Sequence, residues 1–381
     1  MSINVKEMMS IPAGESMRLI AGNDGVNRNA SHVNLMDFEY DSVIPDGKAP
    51  DGKFDRNSVV VTSLMFAKNR EELILPVIKQ LDKDGVSAIV IIPVYYKSLP
   101  DEVKDYADKH SLPIFLSDER DYPENIVVGL TKAVNDFDEI EQLESRVSEL
   151  FSADEGSALN RTRKLIPYEA ENVRFFYLKR KRTESEGAFH RFIETLIHDS
   201  EREMIPVFPY NGGFFVMLPE KASEGKSDLT MFGYPSSEFR TGVSEVCESE
   251  NDIRFAMQQS LFAEKYADIM ELDSINFHDM GIYKILLPLS KDSWINNFCS
   301  RITETVKKYD AENGTDLWKT AECFVKMKGN YRETAEKLSM HFNTVRYRIA
   351  KIREITDLLD NELEFTADIY LAVLWSRVIK L

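Results

Sequence analysis

The chain has 381 residues, 43% of them apolar and 29% charged, the balance of a globular protein with room for two or three domains. A formal net charge of −17 excludes a general nucleic-acid coat, and no apolar run approaches the ~20 residues that span a bilayer. The N-terminus lacks a basic start followed by an apolar core, and Cys247, Cys299 and Cys323 are far apart; both imply a reducing cytoplasm without export signal or disulfide scaffold.

The first 57 residues predict a small helix and several short strands or turns, with an exposed Gly/Asp/Pro-rich loop from Pro45 to Arg56. An alternating pattern follows: a β-branched strand Val59–Thr62, a helix Glu71–Leu81, a buried strand run Val86–Ile92, a helix Pro100–His110 with proline in its first turn, and a strand Leu112–Leu116. Apolar strands interleaved with amphipathic helices imply a parallel sheet covered on both faces. Ligands of such sheets sit beyond the C-terminal strand ends, which gathers Thr62, Ser63, Pro93, Ser117 and Asp118 around a candidate effector pocket. Ordinary loop roles are the alternative for the same five residues. No glycine-rich phosphate cradle is present, so no dinucleotide cofactor is expected.

Asn125 to Phe151 reads as one long helix. Val127, Leu130, Val134 and Phe137 keep heptad spacing, and Ile140, Leu143, Val147 and Leu150 resume it after a shortened step. Two readings stand: a parallel dimer connector, or a helix packed on its own domain. Beyond it, Asn172–Tyr177 and Gly213–Leu218 predict strands, with a helix over Gly187–His198 between them and a hairpin signal at Tyr210-Asn211-Gly212-Gly213. Gly242-Val243-Ser244 ends a further strand, and a helix fills Ser249–Asp268 with Met257 and Phe262 in its core face. Cys323 is expected as a small core side chain. The six histidines show no metal-ligand spacing; His190 and His198 share a helix face but lack a third ligand, so no metal is expected.

The densest signal is Gly329 to Arg348, GNYRETAEKLSMHFNTVRYR. Asn330 is placed to cap a short helix, with Glu333 returning in a capping box, and Ala335 and Leu338 point inward. Ser339–Phe342 interrupts the pattern, Asn343 or Thr344 caps a second helix, and Val345, Ile349, Ile352 and Ile355 make its buried stripe. The remaining faces carry Thr344, Arg346, Tyr347, Arg348 and Lys351. A short helix, a tight turn and a polar-faced second helix suit a DNA major groove. From Leu317 to Thr356 nine lysines and arginines oppose four glutamates, a local net of +5 on a remainder of −22. Such a face steers the chain, tail first, toward phosphates. Lys328 and Arg332 flank the first helix as phosphate clamps, Lys351 fits a backbone contact, and His341 fits local packing or capping. The bland alternative is a solvated amphipathic helix pair.

Gly329-Asn330, Thr334-Ala335-Glu336-Lys337-Leu338, His341 and Asn343-Thr344-Val345-Arg346-Tyr347-Arg348 resemble the C-terminal domain of the purine catabolism regulator (PucR-like) transcription factors, which include the carbohydrate diacid regulators. Leu19–Asp37 with the following SVVVTSLMFA is similar to that family's N-terminal sensing domain, and Gly242–Glu264 resembles its middle domain, a degenerate relative of the GGDEF fold. With the resemblance, the chain reads as multidomain α/β plus all-α: an α/β sensing domain over 1–123, a helical connector over 124–151 that is a coiled coil in the first of its two readings, a degenerate GGDEF-like middle domain over 152–290 and a helix-turn-helix domain over 291–381. It assigns Asn343, Thr344, Arg346, Tyr347 and Arg348 to the DNA surface. Cyclases of the GGDEF kind carry acidic residues at the turn that here reads Tyr210-Asn211-Gly212-Gly213, so the middle domain is expected to be non-catalytic. The expected function is a non-enzymatic, sequence-specific, DNA-binding regulator of a catabolic or metabolic operon. Its expected partners are double-stranded DNA, a small-molecule effector and further copies of itself, in a homodimer or higher oligomer, with no cofactor and no membrane. A nucleotide cyclase-like enzyme and a protein-binding signalling scaffold are the two alternatives.

Overall fold

The computed structural model describes residues 3–9, 13, 14, 16–37, 54–167, 170–181, 189, 192, 193, 195–198, 205–223, 238–358 and 361–379. Most of the Pro45–Arg56 loop, part of the helix expected over Gly187–His198, and His190 lie outside them. The chain divides into two compact units, Met1–Pro167 with Arg182–Phe214, and Tyr168–Lys181 with Phe215–Leu381. No described helix is long and apolar enough to cross a membrane.

The first unit is built on β1 (Arg18–Ala21), β2 (His32–Leu35), β3 (Ser58–Thr62), β4 (Ala88–Ile91) and β5 (Ile114–Leu116), in sheet order β1-β5-β4-β3-β2. β2, β3, β4 and β5 run parallel, and β1 closes the edge antiparallel to β5 with Arg18 opposite Leu116. Strand period two splits the sheet's side chains between two cores. Val60, Ile89, Ile91 and Ile114 meet α1 (Ile74–Asp84) and α2 (Asp101–Lys109) on one face. Val59, Val61, Val90 and Phe115 meet α3 (Pro123–Ser152) on the other. Gly85 ends α1 at φ 84, and Pro100 stands as the N-cap of α2 rather than within its first turn. Gly22, at φ 76, is required twice over, because a methyl there would lie 1.9 Å from the Leu112 carbonyl oxygen.

The long helix differs from the connector expectation. Ile126, Leu130, Val134 and Phe137 are buried against the parallel sheet, with Ile126 rather than Val127 opening the stripe. Further along, Ile140, Val147 and Leu150 are buried too. The stripe read as a dimer seam is therefore covered within one chain, since a seam has to be bare before a partner can occupy it. A second helix, α4 (Glu155–Leu165), starts at Asp154, whose carboxylate accepts from Ser157 N–H. Later in this unit, Asn211 and Gly212 at φ 50 and 70 turn the strand Val207–Tyr210 into Gly213, the double positive φ of a tight hairpin turn.

The second unit holds β6 (Val173–Arg180), β7 (Gly213–Pro219), β8 (Phe239–Val243) and β9 (Ser274–Asn276), in order β9-β8-β6-β7, with β8 antiparallel to β6 and parallel to β9. α5 (Ile253–Met270) covers this sheet; Met257 is buried and Phe262 packs on the core. After a four-residue helix, Tyr283–Leu286, come α6 (Ser293–Asn313), α7 (Leu317–Lys326), α8 (Tyr331–Lys337), α9 (Phe342–Thr356) and α10 (Glu362–Val378). One apolar core ties them, including Ile302 and Val306 of α6, Trp318 and Phe324 of α7, Ala335 of α8, Val345, Ile349 and Ile352 of α9, and Phe365 and Trp375 of α10. Asp310 organises the bend from α6 to α7 by accepting from Leu317 N–H, Trp318 N–H and the Thr315 hydroxyl. Cys323 is only half-buried, whereas burial pushes the Cys247 and Cys299 thiols up to about 11.

Candidate nucleic-acid interface

α8 and α9 form the helix pair that the sequence predicts, and each entry and exit has an identifiable cause. α7 ends in a Schellman arrangement: Lys328 N–H reaches Val325 O, Gly329 N–H reaches Phe324 O, and Lys328 itself takes φ 55. Asn330 then caps α8, its side-chain oxygen accepting from Arg332 and Glu333 N–H. Glu333 completes the box differently from expectation, meeting the Asn330 side-chain amide at 2.6 Å rather than its backbone N–H. α8 closes on a second Schellman pair, Ser339 N–H to Glu336 O and Met340 N–H to Ala335 O, with Ser339 at φ 53.

The cap of α9 is His341, not Asn343 or Thr344. Its Nδ1 accepts from Asn343 N–H at 3.2 Å, and the helix begins at Phe342. Asn343 and Thr344 therefore stand one and two residues inside the first turn, with exposed side chains, where the helix dipole favours an anion although His341 already takes up the N–H groups of both. Val345, Ile349 and Ile352 are buried, and Ile355 is half-buried.

Helical geometry sorts the eight candidate DNA contacts. Asn343, Arg346 and Tyr347 share one exposed ridge of α9, which Ala350 and Glu354 continue. Tyr347 is 68% exposed, too open for a core ring. Arg346 lies over Phe342, 5.9 Å from ring centre, with its guanidinium edge open. Thr344 stands on one flank of the ridge, and Lys328 and Arg332 are exposed at the two ends of the α7–α8 turn. Two candidates are engaged within the chain. Arg348 Nη1 donates to Thr320 Oγ1 at 3.0 Å and lies 3.4 Å from Asp316 O, and the residue is half-buried. Lys351 bonds Glu354 at 2.7 Å, which raises its pKa, and sits 5.5 Å from the Tyr309 ring centre. Ala350, absent from the sequence-based set, occupies the ridge where a small methyl can reach a thymine methyl. The exposed slot seven residues after Asn343 was its only sequence signal. Arg353, counted among the local cations, stacks on Phe365 at 4.5 Å and belongs to the core edge.

The five effector candidates separate in the first unit. Pro93, Ser117 and Asp118 come together at the C-terminal ends of β4 and β5, lining a cleft of about 610 Å³ with Arg18, Leu116 and Lys97. Thr62 and Ser63 do not line it. The Thr62 hydroxyl accepts from Leu64 N–H, while Ser63 N–H and Oγ both donate to Asp37. Asp118 is held down to about 2 by hydrogen bonds from Arg120, so it stays ionised. No group of three metal-ligating side chains occurs among the described residues.

Residues 317–375 match the PucR C-terminal helix-turn-helix domain, and residues 7–127 match the purine catabolism regulatory protein-like family. The purine catabolism regulatory protein of Bacillus subtilis (strain 168) is 31% identical over 130 residues, 33% of this chain and 22% of that protein. The proline-responsive transcriptional activator PutR of the same organism is 28% identical over 92 residues, 24% of this chain and 22% of that protein. The matched stretches thus span about a fifth of these relatives' length. A crystal structure of a regulator of polyketide synthase expression from Bifidobacterium adolescentis aligns at 15% identity over 61% of this chain and 97% of that one, with a TM-score of 0.26, too loose to establish a shared fold. The N-terminal segment and the C-terminal helix-turn-helix are thus each similar to a PucR-type model, in that order along the chain.

Proposed function

We propose that the chain is a sequence-specific, DNA-binding transcription regulator that answers to a small metabolite and controls a catabolic or metabolic operon. The observation that carries this reading is the ridge of Asn343, Arg346 and Tyr347, exposed on a helix whose opposite face is buried in the core shared by α6 to α10. Arg346 offers a bidentate fork to a guanine edge, and Ala350 a methyl for thymine. Thr344, Lys328 and Arg332 fix the register on phosphates. Arg348 acts by holding the reading helix against α7, with its remaining N–H groups available to a phosphate. Lys351 reaches the backbone when it exchanges Glu354 for a phosphate oxygen.

The cleft at Pro93, Ser117 and Asp118 is the proposed effector site. Arg18, at its rim, has no ion-pair partner among the described residues and supplies a free cation. The two relatives are named for purine catabolism and for proline, so neither signal carries over to this chain. Residues 152–290 are read as a degenerate GGDEF-like domain without catalysis, because the turn at 210–213 offers no carboxylate to a metal. The four-part division, with α3 packed on its own domain and not paired as a coiled coil, and a homodimer or higher assembly complete the reading. Genome-wide footprinting tests it: discrete protected sites beside a shared set of metabolic genes are expected, and GTP turnover with Mg²⁺ in place of protected sites would revive the cyclase alternative.

A further inference from the structure

The dimer seam expected on α3 is covered, yet another helix leaves an apolar face bare. Trp294 is 85% exposed and Phe298 42% exposed, both on α6. Steps of four and three carry the same stripe on through Arg301, Thr305 and Lys308. The opposite stripe, Cys299, Ile302, Thr303 and Val306, is the one buried in the core. An exposed tryptophan one turn from an exposed phenylalanine is the composition of an interface centre rather than of ordinary surface. Beside them, neither Arg301 nor Glu304 has an ion-pair partner among the described residues, while Lys308, 78% exposed, lies 4.0 Å from Glu312 of its own helix and would have to exchange that contact for the rings of the second copy.

We infer that this face of α6 is where two copies of the chain meet, α6 lying antiparallel on α6. Charge selects a second copy as the occupant. The face carries Arg301 and Lys308 against Glu304 and Glu312, a neutral strip on a chain of net −17, so copies approach there without the repulsion felt elsewhere. A parallel pair would stack Arg301 on Arg301 and Glu304 on Glu304. An antiparallel pair with its two-fold axis level with Ile302 and Thr303 instead sets each Arg301 beside Glu304 of the second copy. It also drops Lys308 of the second copy between Trp294 and Phe298, where its stem covers both rings and its ammonium meets their faces. The strip from Trp294 to Lys308 is about 21 Å long at ~1.5 Å per residue, enough for four turns of knobs and holes. Such pairing brings two copies of the second unit together and with them two reading helices, as paired half-sites require.

Sedimentation velocity on the full chain without DNA tests this, so the result stands apart from the DNA reading. The parent is expected to be a dimer, and Trp294→Glu to weaken it at least tenfold. Arg301→Glu and Glu304→Arg should each weaken it, while the double variant Arg301→Glu/Glu304→Arg recovers the parental affinity. All three positions are exposed, and an unchanged thermal midpoint in each variant confirms that folding is intact. A monomeric parent at every concentration, a dimer indifferent to Trp294→Glu, or a double variant no tighter than the singles would each overturn the assignment.

Discussion

Arg348 Nη1 donates to the Thr320 hydroxyl at 3.0 Å, linking α9 to α7, while Arg346 two residues earlier stands exposed over Phe342. Two arginines of one motif therefore do different work. Arg346→Ala should leave the unfolding midpoint within error and cost about 1–3 kcal/mol of specific DNA binding. Arg348→Ala should cost about 1–2 kcal/mol of stability by removing a charge-assisted bond, with a loss of DNA affinity that Thr320→Val reproduces in part. Paired denaturation and operator titrations check both. Equal stability losses for the two arginines would erase the distinction.

Lys328 occupies a left-handed backbone position at φ 55 that glycine fills without strain. Lys328→Gly should therefore stabilise the fold by roughly 1 kcal/mol while weakening DNA binding across all sequences. If the ammonium pins one phosphate, the slope of log affinity against log salt should become shallower by ~1. An unchanged salt slope would remove Lys328 from the contact set.

His341 caps α9 through Nδ1, and replacing it tests the helix start directly. His341→Ala should cost about 0.5–2 kcal/mol, and His341→Asn should restore most of it, since an Asx oxygen accepts the same N–H. Urea denaturation followed by far-ultraviolet dichroism gives the comparison.

Glu264 is buried on α5 with Arg240 Nη1 at 3.8 Å. Burial raises its carboxyl from 4.5 to about 7, overriding the pull of Lys179 and Arg240. The folded chain keeps a proton there that the unfolded chain releases. The associated stability is fully present below about 4.5 and lost as pH climbs through about 7. Glu264→Gln should flatten that dependence and be more stable than the parent at pH 8 by roughly 1–3 kcal/mol. Parallel melts at pH 5 and pH 8 read the difference.

Much of this architecture was legible because periodicity and punctuation agree. The β-branched run Val59–Thr62 falls in β3, and the Val345, Ile349, Ile352 stripe is the buried face of α9. What stayed illegible depended on neighbours distant in sequence. Heptad spacing in α3 marks a buried stripe but not its cover, which for Ile126 to Phe137 proved to be the parallel sheet. Arg346 and Arg348 look alike in the motif, and only Thr320, 28 residues away from Arg348, separates them. Asn343 is a better cap by type than His341, yet the chain leaves its extended segment at His341, so position outranked propensity. Thr62 and Ser63 end a parallel strand as pocket residues do, but bonds to Leu64 and Asp37 occupy their hydroxyls.

Gly242 of β8 lies so near α5 that an added methyl would sit 2.0 Å from Ser260 O and 2.2 Å from Glu264 N. Strand and helix at that point touch backbone to backbone, with no side chain between them to act as a lubricant. Their amides should exchange with solvent in one concerted opening, at a common free energy, instead of peeling away element by element.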